Sequence, residues 1–205
     1  MNHLAHALLG APEPDVILGS LIADFVRGPI DPALRRGVRI GIALHRAVDV
    51  YTDAHPETAA ARRRFQPPLR RYAGIVLDVW FDHLLANDWS RFVKNESLHA
   101  FSRRVRSLLR SHRPELPARM LPFVRFLESN DLPEGYGRID TVRRVLAGMS
   151  ARLARANPIA DALAPILAME APLHAHFDAF WPQLAEHARV TLAELQNDLR
   201  FGPPG

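Results

Sequence analysis

Apolar residues recur along this chain at three- and four-residue intervals, with polar residues between them, so the period is helical. Prolines and glycines break the pattern at short intervals and mark the helix ends. The first half predicts helices over 2–9, over 15–28 with Asp15 as N-cap and an end near Gly28, and from after Pro32 to about 53. Shorter and longer ones follow over 57–65 and, beyond Pro67 and Pro68, over 69–86, with Asp88 or Ser90 opening a further turn. The second half predicts helices over 98–111, 118–127, 138–156 and 173–197, a loop over 131–137 and a frayed tail over 201–205. No stretch alternates with period two and no Asn-Gly hairpin signal appears. The expected fold class is all-α, as a single compact helical domain over 1–205, since no linker divides the chain.

Four of these segments carry polar groups on an otherwise apolar stripe. At about 100° per residue, Ile75, Asp78, Asp82 and Leu85 share an arc of a segment that is apolar nearly all round and hence buried. His83 stands one step round from Asp82. Val38, Ile42, His45 and Asp49 share another arc, which Thr52 extends, and Ile17, Ser20, Leu21 and Asp24 share a third. Asn2 and His6 form the polar edge of the first segment. Carboxylates on a buried stripe need a cation, an arginine or a shared proton.

Mixed imidazole and carboxylate groups suit Mn²⁺, Fe²⁺, Zn²⁺ or Mg²⁺, and with several carboxylates and no thiolate the harder ions lead. Such an ion polarises a phosphoryl oxygen and delivers hydroxide, the means of metal-assisted phosphoester hydrolysis. The plainer reading stays open beside it: a His–Asp pair at i, i+4 is commonly a structural hydrogen bond, and Arg27, Arg46 and Arg71 are near enough in sequence to neutralise buried acids.

Composition narrows the classes. The 205 residues are 48% hydrophobic, enough for a real core, and include no cysteine, which excludes disulfides and thiolate metal sites. No apolar run reaches the ~18 residues of a membrane span, and MNHLAH at 1–6 lacks the basic and apolar regions of a signal peptide, so the expected location is cytoplasmic. The formal charge is +4, and Lys94 is the only lysine. Arginines in excess favour carboxylate or phosphate partners, though base composition of the genome also explains the bias.

The same residues carry a resemblance. MNHLAH at 1–6, GSLIADFVRG at 19–28, GIALHRAVD at 41–49, TDAHP at 52–56 and LDVWFDH at 77–83 resemble, in order and spacing, the signature blocks of the acyl carrier protein phosphodiesterase family. A weaker match runs from Tyr136 to Arg152. The resemblance implies a divergent, all-helical relative of the HD phosphohydrolases. It implies metal-dependent hydrolysis, with Mn²⁺ foremost and Mg²⁺ or Fe²⁺ as alternatives, of the phosphodiester between 4′-phosphopantetheine and the serine of holo acyl carrier protein. By resemblance Asp24, His45, Asp49, Asp78, Asp82 and His83 fall on the family's polar positions; the expectation is that a subset of Asp24, His45, Asp82 and His83 holds the metal, that His6, Asp49 and Asp78 are further ligands or catalytic groups around it, and that Arg27 and Arg46, next to these acids, steady the phosphate. The order Asp82-His83 reverses the doublet that names the wider superfamily, so roles are not copied from that doublet. Two positions depart from the family pattern: His3 where an apolar or aromatic residue is usual, and Ser20 where asparagine is usual.

An acyl carrier protein is acidic, so its dock is expected on arginines: Arg62, Arg63, Arg64, Arg70 and Arg71, or Arg103, Arg104, Arg106 and Arg110, of which 103, 106 and 110 share a helix face. A solvated arginine face is the plain alternative for either cluster. His174 and His176 read as surface or packing residues. Rival readings are a related phosphohydrolase acting on nucleotides or another small phosphoester, and a non-enzymatic basic helical module. Scattered basic residues and the lack of a helix-turn-helix or stacking platform speak against nucleic acid.

Overall fold

The computed structural model describes residues 2–202, and among them every regular element is helical. The α-helices are α1 (His3–Leu9), α2 (Pro14–Ile22), α3 (Arg36–Ala54), α4 (Pro56–Arg63), α5 (Ala73–Asn87), α6 (Trp89–Phe92), α7 (Leu98–Ser111), α8 (Leu121–Ser129), α9 (Ile139–Arg152), α10 (Leu163–Ala168) and α11 (Glu170–Asn197).

The ends differ from the periodicity in ways with local causes. Pro14, not Asp15, opens α2; Asp15 lies in the first turn and pairs with Arg35 at 2.9 Å. Helix α2 stops at Ile22 and tightens into a 3-10 turn over Ala23–Phe25. Another such turn, Leu69–Tyr72, precedes α5, so the long helix expected over 69–86 is two pieces. Helix α9 ends at Arg152, and α10 lies in a stretch with no predicted helix. Residues 203–205 of the expected frayed tail lie outside the described residues. Its start is tied down: Arg39, 7% exposed, donates to the carbonyls of Phe201 and Gly202.

One core runs through the bundle. Helix α5 is its axis, with Val76, Val79, Trp80 and Leu85 wholly buried. Phe81 meets Phe177 and Phe180 of α11 at ring distances of 5.4 and 5.9 Å. Each such side chain contributes about 1.5–3 kcal/mol. Helix α3 lies between α2 and α11, and α1 sits on α2 and α5.

The α2–α3 crossing is unusually close because it is made of two glycines. A Cβ on Gly19 would stand 2.9 Å from the Cα of Gly41, and one on Gly41 would stand 2.2 Å from the carbonyl of Val16. Only hydrogen fits at either position. The backbone of α2 thereby comes within reach of side chains on α3.

Candidate active site

The close crossing fixes His45. Its Nδ1 lies 2.8 Å from the carbonyl oxygen of Ser20 on α2. A carbonyl only accepts, so Nδ1 carries hydrogen and Nε2 is the atom left to face the cleft. Ser20 Oγ donates to the carbonyl of Gly41 at 3.2 Å, which tightens the same crossing. Two carboxylates stand at His45 Nε2: Asp49, one turn on, at 3.1 Å, and Asp24, from the 3-10 turn after α2, at 3.3 Å.

Helix α1 brings His6 to the same place. Its ring stacks on that of His45, with centroids 3.7 Å apart and planes 17° from parallel. Asp49 Oδ1 is 3.1 Å from His6 Nε2, yet off the direction of a hydrogen bond, so both buried ring nitrogens of His6 lack a satisfactory partner. The ligand atoms of His6, His45 and Asp49 lie within 4.8 Å of one another. A buried imidazole with an unused lone pair, a second with its tautomer fixed by a carbonyl, and a shared carboxylate are a donor set that fits a divalent cation.

The electrostatics follow from packing. Burial depresses His6 to about 3, and the charge on His45 adds to that. Burial would depress His45 too, but Asp24 and Asp49 outweigh it and hold the ring protonated up to about 9. Burial would raise Asp49, but His45 and His6 hold it far below the usual carboxylate range. Asp24, bonded to His45, is lowered likewise. The cluster therefore sets out negative charge around one proton, at the atom where a cation would bind.

Asp24, His45 and Asp49 line a cleft of about 430 Å³, and His6 reaches the group from beneath its surface, stacked on His45. Asp78 from α5, Thr52 and Asp53 from α3, and Arg152 from the end of α9 line its walls. Asn2 Nδ2 and Thr52 Oγ1, both on buried residues of this lining, have no hydrogen-bond partner. Arg152 lies over the Phe123 ring at 5.8 Å and has no carboxylate partner among the described residues.

Of the residues singled out in the sequence, the structure brings together His6, Asp24, His45 and Asp49, with Asp78 on the wall above. Asp82 and His83, expected as metal ligands, are engaged elsewhere. Asp82, wholly buried, accepts from the backbone N–H groups of Leu4 at 2.7 Å and Ala5 at 3.2 Å. Helix α1 leaves its first N–H groups unpaired within the helix; Asn2 takes that of His3, and Asp82 takes the next two. Burial lifts the Asp82 carboxyl to about 7 against the pull of those amides. It anchors the helix that carries His6. His83 stacks on Trp80 and bonds through Nδ1 to the carbonyl of Tyr136 at 2.7 Å, on a different face of α5.

The expected phosphate residues are displaced as well. Arg46 donates to the carbonyl of Val26 at 3.1 Å, Arg27 is exposed, and neither lines the cleft. Arg152 is the arginine that does, and periodicity in α9 held no sign of it. Asn2, expected on the polar edge of the first segment, and His3, expected as a departure from the family pattern, also line the cleft.

Among the docking candidates, Arg62 pairs with Asp53 and Arg64 bonds to His176. Arg63 is exposed, and Arg103, Arg106 and Arg110 line one concave face of α7. A second group, Asp88, His174 and Asp178, also has ligand spacing. Arg91 already supplies its cation, at 2.8 Å from Asp88 and 2.9 Å from Asp178. No described helix is long and apolar enough to cross a membrane.

Comparison with known proteins identifies a family. The family model for acyl carrier protein phosphodiesterase matches residues 1–184. A protein of that name from Serratia proteamaculans is 35% identical over 189 residues, covering 92% of this chain and 98% of its own. Proteins of the same name from Yersinia pestis and Escherichia coli are 35% and 34% identical, each over 92% of this chain and 98% and 97% of their own. No solved structure matches it. With the family model matched over residues 1–184 and nearly the whole length of these relatives covered, the chain belongs to the acyl carrier protein phosphodiesterase family.

Proposed function

We propose that this chain hydrolyses the phosphodiester joining 4′-phosphopantetheine to the serine of holo acyl carrier protein, with a divalent cation held by His6, His45 and Asp49 and with Asp24 beside them. The observation that carries this reading is the meeting of His6, His45 and Asp49 at ligand spacing, with Asp24, His45 and Asp49 lining a cleft that Arg152 also lines, in a family named for that substrate. Mn²⁺ suits the mixed imidazole and carboxylate set best, with Mg²⁺ or Fe²⁺ as alternatives. When bound, such an ion supplies Lewis acidity toward a phosphoryl oxygen and lowers the pKa of water.

The chain's own groups supply the rest. The Ser20 carbonyl holds the His45 tautomer, so no reorganisation is needed on binding. Arg152 offers a bidentate guanidinium to the non-bridging phosphate oxygens. Asp78 takes the proton of the attacking water, and the serine oxygen leaves and is reprotonated from solvent. Outside the cleft, Arg103, Arg106 and Arg110 offer an acidic carrier protein a charged face. Hydrolysis that is indifferent to ionic strength removes that dock.

The test is to incubate holo acyl carrier protein with the purified protein and Mn²⁺ and read the carrier by mass. Loss of the phosphopantetheine mass, abolished by chelation, is the expected result. Bound metal with an unchanged carrier mass assigns the site to another phosphoester.

A further inference from the structure

The cleft does not end at Arg152. His3, Met149 and Arg152 line it and also line a second, narrower space between α8 and α9. The walls of that slot are Phe123, Phe126, Leu132, Tyr136, Val145 and Gly148, all apolar but for the Tyr136 hydroxyl. Its volume is about 30 Å³, roughly two water-sized spheres. It has room for about one methyl group and none for a fatty acyl chain or a nucleobase.

We propose that this slot receives one of the paired methyl groups on the quaternary carbon of the phosphopantetheine arm. The inference rests on the reading under Proposed function. In that arm the dimethyl carbon stands two bonds beyond the phosphate ester oxygen and is the first bulky group after it. A phosphate held by Arg152 at the shared mouth therefore brings one of those methyls to the slot. On its other side the phosphate carries a serine, whose β-carbon bears no branch and leads directly into the carrier backbone. The slot thus sets the direction of binding, with the arm inward and the serine oxygen toward solvent, where the carrier sits and the leaving group departs. His3 belongs to this junction: it lies 4.2 Å from the Phe123 ring, and burial lowers it to about 4, so it lines the mouth as a neutral ring.

Gly148 keeps the slot open. A Cβ there would meet the Phe126 ring at 3.7 and 3.9 Å, ordinary contact distances, so alanine is accommodated by the fold and occupies part of the space. The test compares two substrates: holo carrier protein, and carrier protein whose serine bears the same arm without its two methyls. For the wild-type protein, kcat/KM is expected to favour the methylated arm by about tenfold or more, the usual discrimination of a pocket that buries a methyl-sized group. Gly148→Ala is expected to melt no lower than wild type and to shrink that preference below about threefold, through a higher KM for the methylated arm. Equal wild-type rates on the two arms, or a preference unchanged in Gly148→Ala, overturns the slot assignment. Failure of the wild type to cleave either arm overturns instead the reading on which it rests.

Discussion

A methyl group at position 41 separates the two halves of the candidate site. In Gly41→Ala the new Cβ stands 2.2 Å from the Val16 carbonyl oxygen and 2.8 Å from the Ser20 nitrogen. A carbon-to-oxygen contact needs about 3.3 Å, so α2 and α3 must part by about 1 Å. The His45 Nδ1 to Ser20 carbonyl distance, 2.8 Å in the native protein, then opens to nearly 4 Å and ceases to be a hydrogen bond. Losing that buried bond costs about 1–3 kcal/mol, and overpacking costs about 1–3 kcal/mol more. The helix preference of alanine offsets about 1 kcal/mol. The net loss is about 1–5 kcal/mol, with a middle value of about 3 kcal/mol that lowers Tm by roughly 6–12 °C in a chain of this size. With the His45 tautomer released, Mn²⁺ affinity is expected to fall about 10- to 100-fold. Circular dichroism on heating and calorimetric titration of Mn²⁺ read the two effects. Gly74→Ala is the control, because its Cβ meets nothing closer than Arg62 Nε at 3.7 Å. A Gly41→Ala protein that melts within two degrees or so of wild type and binds Mn²⁺ equally well refutes the crossing as the device that fixes His45.

Three further outcomes follow from the same geometry. Metal-free His45 is held above its ordinary 6.5, at about 9, so its charged form stabilises the fold fully below pH 6.5 and that contribution is lost as pH rises toward 9. A cation must displace that proton, so Mn²⁺ affinity is expected to rise about tenfold per pH unit from 7 to 9 and then level off; an affinity flat across that range contradicts the assignment. Asp82→Ala leaves the Leu4 and Ala5 amides buried without an acceptor and is expected to cost about 3 kcal/mol of stability; a variant that unfolds like wild type while losing all activity would return Asp82 to the metal. Arg152→Ala removes a charge-assisted pair worth about 1.5–3 kcal/mol and is expected to raise KM for holo carrier protein roughly 10- to 100-fold at unchanged melting temperature. An unaltered KM places the phosphate elsewhere.

The all-α class and the pairing of His45 with Asp49 were legible because both are local: one depends on a helical period, the other on a single turn of α3. Asp24 was legible as a polar residue at the end of an apolar stripe. Periodicity gives the direction of a side chain and not what stands opposite it. Asp78 and Asp82 share a face of α5, yet one looks into the cleft and the other onto the first turn of α1. Arg152 and His3, 149 positions apart in sequence, line the same cleft and the same slot, and no spacing rule connects them. The two residues expected to depart from the family pattern fall at structural joints. His3 stands where the cleft meets the apolar slot, and Ser20 lies in the glycine crossing, where its hydroxyl bonds the facing backbone. Helix ends were misjudged where 3-10 turns replace α-helix, since a 3-10 turn keeps the same apolar spacing for a residue or two.

Anomalous scattering at the manganese edge, from crystals grown with Mn²⁺, locates the ion directly. The expected result is a peak about 2.0–2.4 Å from His45 Nε2, a ring nitrogen of His6 and a carboxylate oxygen of Asp49. A peak at His83, or within the group of Asp88, His174 and Asp178, with none at His45, contradicts it.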